Sequence, residues 1–253
     1  MQDVETIPAA TVVIFRHAQD GGAPELLMAR RSRSLRFAPG MTVFPGGRID
    51  PSDRDLAAQS GGDDPGELAA RIAVIRETLE ETGLLIGIDR PITANEAEVA
   101  RRDLVSAGAL GPVLASRGWR IDPSRLTPFA RWHPRFAHSR SFDTRFYLHD
   151  LGTGKVTLAP DGSENTSVGW CRASDALAAA DNGDVSIIYP TRRNLERLAQ
   201  FASFAAAVAD AEAHPIRPIA PEREIRDGRE FLTIPEGLGY PVTAEPLDSA
   251  MRG

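Results

Sequence analysis

Residues 64–84, with the sequence DPGELAARIAVIRETLEETGL, form the most regularly patterned segment of this 253-residue chain. Their apolar side chains recur at i, i+4, i+7 and i+11, which predicts an amphipathic helix over residues 67–82. This apolar stripe consists of Leu68, Ile72, Ile75 and Leu79. Asp64 and Glu67 form a start signal of the capping-box type, with a proline at the first helical position, and Gly83 is a stop signal.

Strand and helix patterns are intermixed on both sides of this helix. Short apolar runs predict strands at residues 11–15, 25–29, 41–44, 84–88, 127–132, 142–149 and 165–171. Helical patterns cover residues 95–118 with a break near 108–112, a short segment from Ser174, and a long segment capped by Thr191. Residues 50–66 predict a surface loop, and Asp227-Gly228 predicts a hairpin turn. This mixture favours an α/β or α+β protein over the all-α and all-β classes.

The composition is that of a soluble globular protein, with 42% hydrophobic and 25% charged residues. The 35 acidic and 29 basic side chains give a net charge of −6, which argues against a nucleic-acid partner. No apolar run approaches the ~20 residues of a membrane span. The acidic N-terminus lacks the basic start of a signal peptide. Because Cys171 is the single cysteine, an internal disulfide is excluded. These features predict a cytoplasmic protein that does not bind membranes.

Glu77, Glu80 and Glu81 lie at i, i+3 and i+4 near the end of the predicted helix. At roughly 100° per residue they span about a third of the helix circumference, opposite the apolar stripe. The helix dipole opposes negative charge in the last turn, by about 0.3–1 kcal/mol for each carboxylate. A bound cation would offset this, and oxygen ligands without cysteine or paired histidine suit Mg²⁺ or Mn²⁺. The alternative is a solvated acidic face.

The segment Arg76-Glu77-Thr78-Leu79-Glu80-Glu81-Thr82-Gly83-Leu84 resembles the core of the Nudix box, R-E-U-x-E-E-x-G-U, in which U is apolar. Only Thr78 departs from that core. Upstream, Phe44-Pro45-Gly46-Gly47 is similar to the strand-to-loop entry of the same family. The resemblance implies a hydrolase that uses a divalent metal and water to cleave a diphosphate linked to another moiety.

The resemblance also implies roles for individual residues. Glu77, Glu80 and Glu81 are expected to hold Mg²⁺ or Mn²⁺, together with the carbonyl group of Gly47. Arg76 is expected to orient a carboxylate through a bidentate ion pair. These five residues form the predicted core of the active site.

A general base is still required for the attack of water. Family members often take one from a late loop, and Glu164, just before the predicted strand at 165–171, is the best candidate. The alternative for Glu164 is an exposed acidic residue in a turn.

The box of this chain contains an insertion. Gly47 and Arg76 are 29 positions apart, against 14 in the family pattern, which assigns 15 additional residues to the predicted loop at 50–66. The first glutamate of the family pattern would fall at Leu68, on the apolar stripe. Glu67 is the nearest acidic residue, but a capping role explains it at least as well as a catalytic one.

An arginine-rich stretch indicates the substrate. Residues 27–47 resemble the signature upstream of the box in coenzyme A diphosphatases, although Ala38 stands in place of its histidine. Residues 141–146 and 189–191, with the long box insertion, look more like the acyl-coenzyme A branch. The resemblance implies that three arginines meet the additional 3′-phosphate as forked donors. They are Arg31, Arg33 and Arg36. The alternative for these side chains is a solvated basic turn.

The resulting prediction is a Nudix-type α/β/α sandwich over residues 5–190, with a mixed sheet and a helical insertion at 92–120. A C-terminal helix and tail, residues 191–253, are expected to pack on the same domain. The predicted partner is a small-molecule diphosphate, and a homodimer is left open. The alternatives are an ADP-ribose or nucleotide-sugar diphosphatase, a non-catalytic nucleotide-binding Nudix module, and a structural domain with an accidental acidic patch.

Overall fold

The computed structural model describes residues 6–35, 38–133, 141–153 and 156–250. The strands of its main sheet are β1 (Thr6–Arg16), β2 (Glu25–Arg31), β3 (Thr42–Val43), β4 (Gly46–Arg48), β5 (Thr127–Trp132), β6 (Ser141–Asp150), β7 (Asn165–Arg172) and β8 (Pro218–Ile219). The α-helices are α1 (Pro51–Ser60), α2 (Pro65–Thr82), α3 (Ala94–Ala107), α4 (Leu110–Arg117), α5 (Ala173–Asp181), α6 (Tyr189–Leu198), α7 (Phe204–Ala213) and α8 (Leu247–Ala250).

Strand β1 lies at the centre of the sheet, whose strand order is β3-β2-β1-β6-β5-β8. It runs parallel to β6 from Thr6 to Phe15 and antiparallel to β2 and β4. Strand β7 pairs with β2 outside this path. The sheet is therefore mixed, as the sequence predicted.

Two helical layers cover the two faces of the sheet. Because side chains alternate along a strand, Val12 and Ile14 pack with helices α1 to α4 on one face, in a first hydrophobic core. Val13 and Phe15 pack with α5, α6 and α7 on the other face, in a second core. The α/β/α arrangement predicted from the sequence is confirmed by this pair of cores.

Helix α2 is the predicted amphipathic helix. The Asp64 side chain accepts a hydrogen bond from the backbone N–H of Glu67 at 2.9 Å, which satisfies one free donor of the first turn. Gly83 ends the helix in the left-handed conformation, and its N–H is bonded to the carbonyl oxygen of Leu79. Ile72 and Leu79 have no solvent-exposed surface. Burial of this stripe fixes which face of the helix points away from the core.

The predicted loop at residues 50–66 is wrong, because it contains helix α1. Asp50 and Asp53 form a capping box, with Pro51 at the first helical position, so the segment carries its own helix start signal. The predicted strand at residues 84–88 is also wrong. Gly87 adopts φ +66°, which interrupts an extended chain, and Ile88 forms only an isolated bridge with Ile121.

The long helix predicted from Thr191 is two helices, α6 and α7. Thr191 lies inside the first turn of α6, whose N-cap is Ile188, so the prediction that Thr191 caps a helix is wrong. The break predicted at 108–112 is present between α3 and α4, since Gly108 ends α3 in the left-handed conformation.

The C-terminal tail forms a second, three-stranded sheet of β9 (Glu222–Arg226), β10 (Arg229–Thr233) and β11 (Ala244–Pro246). The predicted hairpin turn joins β9 to β10, with Asp227 and Gly228 both at positive φ, the pattern of a type I′ turn. The division of the chain at residue 190 stays a prediction. Among the described helices, none has the length and apolar character needed to cross a membrane.

Candidate active site

A cavity of about 580 Å³ lies beside the second half of α2. Its acidic lining residues include Glu77, Glu80 and Glu164, and its basic ones include Arg31, Arg48 and Arg76. Phe44, Trp132 and Phe146 give it an aromatic side. The cavity therefore combines separate acidic, basic and aromatic surfaces, as expected for a charged ligand that also carries a ring or apolar group.

Arg76 is the centre of the ion-pair network at this cavity. Its side chain is only 5% exposed, and Nη1 donates to Glu77 Oε1 at 3.0 Å and to Glu80 Oε2 at 3.1 Å. Nε and Nη2 form a bidentate pair with Asp53, at 3.0 and 2.9 Å. Burial alone would lower the pKa of Arg76, but the Asp53 hydrogen bond and the neighbouring carboxylates raise it. Arg76 therefore stays charged and holds two box glutamates in position.

Asp53 is a site residue that the sequence reasoning missed. It lies on α1, within the segment predicted to be a loop, and is 1% exposed. Besides Arg76, it accepts a hydrogen bond from the backbone N–H of Asp50 at 2.9 Å. Asp50, Pro51 and the acid at the third helical position together predict the start of a helix here. No pattern within this segment indicates that Asp53 pairs with Arg76.

Glu77 lies against the glycine turn of β4. A Cβ atom on Gly47 would lie 2.3 Å from Glu77 Oε1, so a residue with a side chain would displace the carboxylate. Gly46, at φ +150°, has no space for a Cβ either, because it would lie 2.4 Å from the carbonyl oxygen of Ala10. Burial raises the pKa of Glu77 to about 8, although the charge of Arg76 partly opposes this. The two glycines therefore allow a carboxylate to pack directly on backbone.

Glu81 is buried, at 3% exposure. Its Oε2 accepts a hydrogen bond from the backbone N–H of Gly46 and its Oε1 accepts one from Asn165 Nδ2, both at 2.9 Å. Burial raises the pKa of Glu81 to about 7 against the opposing effect of these two bonds. Burial also raises the pKa of Glu80, which at 32% exposure is the most accessible of the three. Asn165, which the sequence reasoning missed, links Glu81 to the start of β7.

Glu164 reaches the cavity from the loop before β7. The Asp161 side chain organises this loop, because its Oδ1 accepts hydrogen bonds from the backbone N–H groups of Ser163, Glu164 and Asn165 at 2.8–2.9 Å. The carbonyl group of Glu164 accepts a bond from the N–H of Ser32 at 2.7 Å. The structure thus brings Glu164 into the same cavity as Glu77 and Glu80.

The predicted substrate-binding arginines do not all reach the cavity. Arg31, at the end of β2, lines it, whereas Arg33 is exposed and is not among its lining residues. Arg36 lies outside the described residues. Arg48 at the end of β4 lines the cavity and was not singled out from the sequence.

Glu67 lies at the other end of α2 from the acidic cluster. It accepts hydrogen bonds from Arg71 Nε at 3.2 Å and from the hydroxyl group of Tyr147 at 2.9 Å, and it pairs with Arg145. It is not among the residues that line the cavity. Only the Asp64 half of the predicted capping box forms, because the Glu67 carboxylate is engaged with Arg71, Tyr147 and Arg145. These contacts give Glu67 a structural role at the start of the helix.

The chemistry of the site fits Mg²⁺ or Mn²⁺, although the carboxylates face different partners. Within the described residues, no three His, Cys, Asp or Glu side chains already converge as a metal-binding group. Glu77 and Glu80 both contact Arg76, and Glu81 contacts Gly46 and Asn165. Yet all three carboxylates have a raised pKa, mainly because they are buried, so a cation beside them would stabilise their charged form.

Comparison with known proteins gives consistent results. A family model described as NUDIX domain matches residues 6–103. The acyl-coenzyme A diphosphatase NUDT19 of Xenopus laevis is 26% identical, over 70% of this chain and 60% of that protein. The protein of the same name from Gallus gallus is also 26% identical, over 71% of this chain and 62% of its own length. This chain thus spans about 60% of the length of these curated relatives.

Among solved structures, the crystal structure of a NUDIX hydrolase from Alicyclobacillus acidocaldarius is 30% identical to this chain. The two superpose with a TM-score of 0.69, over 82% of this chain and 97% of that one. A likeness over nearly all of the solved structure confirms the fold predicted from the sequence.

Proposed function

This chain belongs to the Nudix hydrolase family, and on that premise we propose that it hydrolyses the diphosphate linkage of coenzyme A or an acyl-coenzyme A. The products are adenosine 3′,5′-bisphosphate and the corresponding 4′-phosphopantetheine. The observation that carries this proposal is that one cavity is lined by Arg31, by the box residues Glu77 and Glu80, and by Glu164. The name acyl-coenzyme A diphosphatase, borne by the relatives NUDT19, supports the same substrate class.

The reaction is the attack of water on one phosphorus atom of the diphosphate. A new P–O bond forms to the water oxygen, the bridging P–O bond breaks, and the other phosphate leaves with the bridging oxygen. Glu164 is the proposed base that takes the proton of the attacking water, because it lines the cavity from an ordered loop. Arg31, on the same cavity, offers a forked donor to phosphate oxygens.

Arg76 acts through the glutamates rather than on the substrate in this proposal. Its guanidinium holds Glu77 and Glu80 at fixed positions while Asp53 occupies its other edge. Glu77, Glu80, Glu81 and the Gly47 carbonyl group would hold Mg²⁺ or Mn²⁺. When bound, such an ion neutralises phosphate oxygens and lowers the pKa of a coordinated water.

Nudix hydrolases generally use divalent metals, and chelation gives the first test of the proposal. Exhaustive removal of metal is expected to abolish diphosphate hydrolysis, because without a cation the carboxylates repel the negatively charged diphosphate. Addition of Mg²⁺ or Mn²⁺ should restore it, measured as phosphate-containing products separated by chromatography. Full activity after exhaustive chelation would contradict the metal assignment.

The substrate assignment is tested by comparing coenzyme A with dephospho-coenzyme A. The value of kcat/KM should be about tenfold or more higher for coenzyme A, since the 3′-phosphate adds charge-assisted hydrogen bonds that the second compound cannot make. ADP-ribose and a nucleotide sugar serve as competing substrates. If the 3′-phosphate has no effect and ADP-ribose is hydrolysed faster, the coenzyme A assignment fails, and the chain is an ADP-ribose or nucleotide-sugar diphosphatase. If none of these compounds is hydrolysed with metal present, the non-catalytic alternative is favoured.

A further inference from the structure

Helix α6 begins at the wall of the active-site cavity. Ile188, Pro190 and Thr191, from its N-cap and first turn, all line the cavity. The N-cap residue is isoleucine, and no side chain caps this helix end by a hydrogen bond. The first turn of a helix carries backbone N–H groups without helical partners and a partial positive charge. Proline has no N–H, and Tyr189 is not among the residues that line the cavity, so the backbone donor that the lining residues of the first turn offer is the N–H group of Thr191.

Thr191 adds a second, independent feature to this end of the helix. The residue is only 3% exposed, yet its hydroxyl group makes no hydrogen bond with any residue in the described part of the chain. The hydroxyl oxygen is not fully enclosed by protein, so solvent or a ligand can reach it. A buried residue that lines a cavity, and whose hydroxyl group makes no hydrogen bond within the described part of the chain, offers a ready donor to a ligand.

The surroundings hold the start of α6 in place. The Tyr189 hydroxyl donates to the carbonyl oxygen of Leu232 at 3.2 Å, which attaches the helix to the tail sheet. One turn further, Asn194 Oδ1 accepts a bond from the Tyr240 hydroxyl at 2.8 Å. Arg193 Nη2 pairs with Glu245 Oε2 at 2.9 Å. With these anchors, the donors of the first turn have a fixed position before any ligand binds.

The ligand class follows from the donors and from the other walls. A helix N-terminus with an added hydroxyl group is suited to a phosphate group, which presents several acceptor oxygens and negative charge. The acidic end of the cavity, at Glu77 and Gly47, is assigned to the diphosphate under the proposed function. Arg33, which was expected to bind the 3′-phosphate, is exposed outside the cavity. Arg31 lines the cavity but is assigned to the diphosphate oxygens under the proposed function, so a second phosphate in the cavity needs another partner.

We propose that the first turn of α6, through the hydroxyl group and the backbone N–H group of Thr191, binds the phosphate monoester of the substrate. For coenzyme A this group is the 3′-phosphate. The inference rests on the proposed function for the identity of the substrate, but it is tested by binding, without turnover. Thr191 is then a specificity-determining residue that distinguishes substrates with this phosphate from those without it.

The test compares the binding of adenosine 3′,5′-bisphosphate and of AMP, which lacks the 3′-phosphate, by titration calorimetry. The wild-type chain should bind the bisphosphate more tightly. Thr191→Val removes the hydroxyl group at nearly constant volume and should weaken bisphosphate binding about tenfold, with AMP binding unchanged. Thr191→Ser keeps the hydroxyl group and should retain the preference.

Thr144→Val provides a matched control, since Thr144 contributes another threonine to the same cavity, from β6. It should leave the preference for the bisphosphate intact. The proposal is overturned if wild type binds both nucleotides equally, or if Thr191→Val weakens both alike or neither. Equal effects of Thr191→Val and Thr144→Val would also overturn it. A wild-type chain that prefers the bisphosphate through Thr191 but hydrolyses no diphosphate would refute the proposed function and leave this inference standing.

Discussion

Glu80→Gln and Glu81→Gln are each expected to lower diphosphate hydrolysis by about 100-fold or more, the effect typical of removing one group that stabilises transition-state charge. Each change removes a negative charge from the set proposed to hold the divalent cation. Glu80 is partly exposed and contacts Arg76, so its replacement should leave the fold unchanged. Gly46 and Asn165 both donate hydrogen bonds to the Glu81 carboxylate. The amide nitrogen of a glutamine at this position would meet one of these donors and lose that hydrogen bond. The measurement is steady-state turnover at saturating Mg²⁺, with thermal unfolding recorded for each variant.

Glu67→Gln is the matched control for these variants. Glu67 lies on the same helix and near the position of the first glutamate in the family pattern, but its contacts are Arg71, Arg145 and Tyr147. Its replacement should preserve turnover within a few-fold. Unchanged turnover in both Glu80→Gln and Glu81→Gln would remove the metal-site assignment. A loss in Glu67→Gln as large as theirs would place Glu67 in the catalytic group.

Asp53→Asn is expected to lower the free energy of unfolding by about 3 kcal/mol, because breaking a buried ion pair leaves an uncompensated charge. This loss of unfolding free energy is at the low end of the range usual for a broken buried ion pair, because Arg76 keeps its contacts with Glu77 and Glu80. Hydrolysis should also fall, because Arg76 would no longer be fixed on its Asp53 edge. Urea denaturation and steady-state turnover measure the two effects.

Asp55→Asn offers the matched control for this second prediction. Asp55 lies on the same helix, α1, but is exposed. Its replacement should change the free energy of unfolding by no more than about 0.5 kcal/mol, as is usual for surface positions. Identical urea midpoints for the two variants would show that the Asp53–Arg76 pair does not support the fold.

Local signals explain why the central helix could be predicted from the sequence. An N-cap aspartate, a glycine at the end and an apolar stripe act within a few residues of each other, and α2 begins and ends where they indicated. The same holds for the hairpin at Asp227-Gly228. The loop predicted at residues 50–66 is wrong because two local signals conflict there. The Gly, Ser and Asp content favours a loop, whereas Asp50 and Pro51 favour the helix that forms.

The acidic cluster is intermediate between these cases. Its helical spacing and the box resemblance predict that Glu77, Glu80 and Glu81 lie together. Their environments were not predictable, because Glu81 is buried under Asn165, which is 84 positions away in the chain, while Glu80 stays accessible. A local pattern contains no information on what packs over each side chain.

The sequence alone determined the helix that carries the three glutamates, the glycine turn before it and the family to which both belong, because these features depend on spacing within short segments. Only the tertiary structure decided that Asp53 holds Arg76, that Asn165 holds Glu81, and that Arg31 but not Arg33 lines the cavity. Each of these contacts joins segments that are distant in sequence. Their positions depend on how two helical layers close over one mixed sheet, and burial, rather than residue type, sets the pKa of each carboxylate.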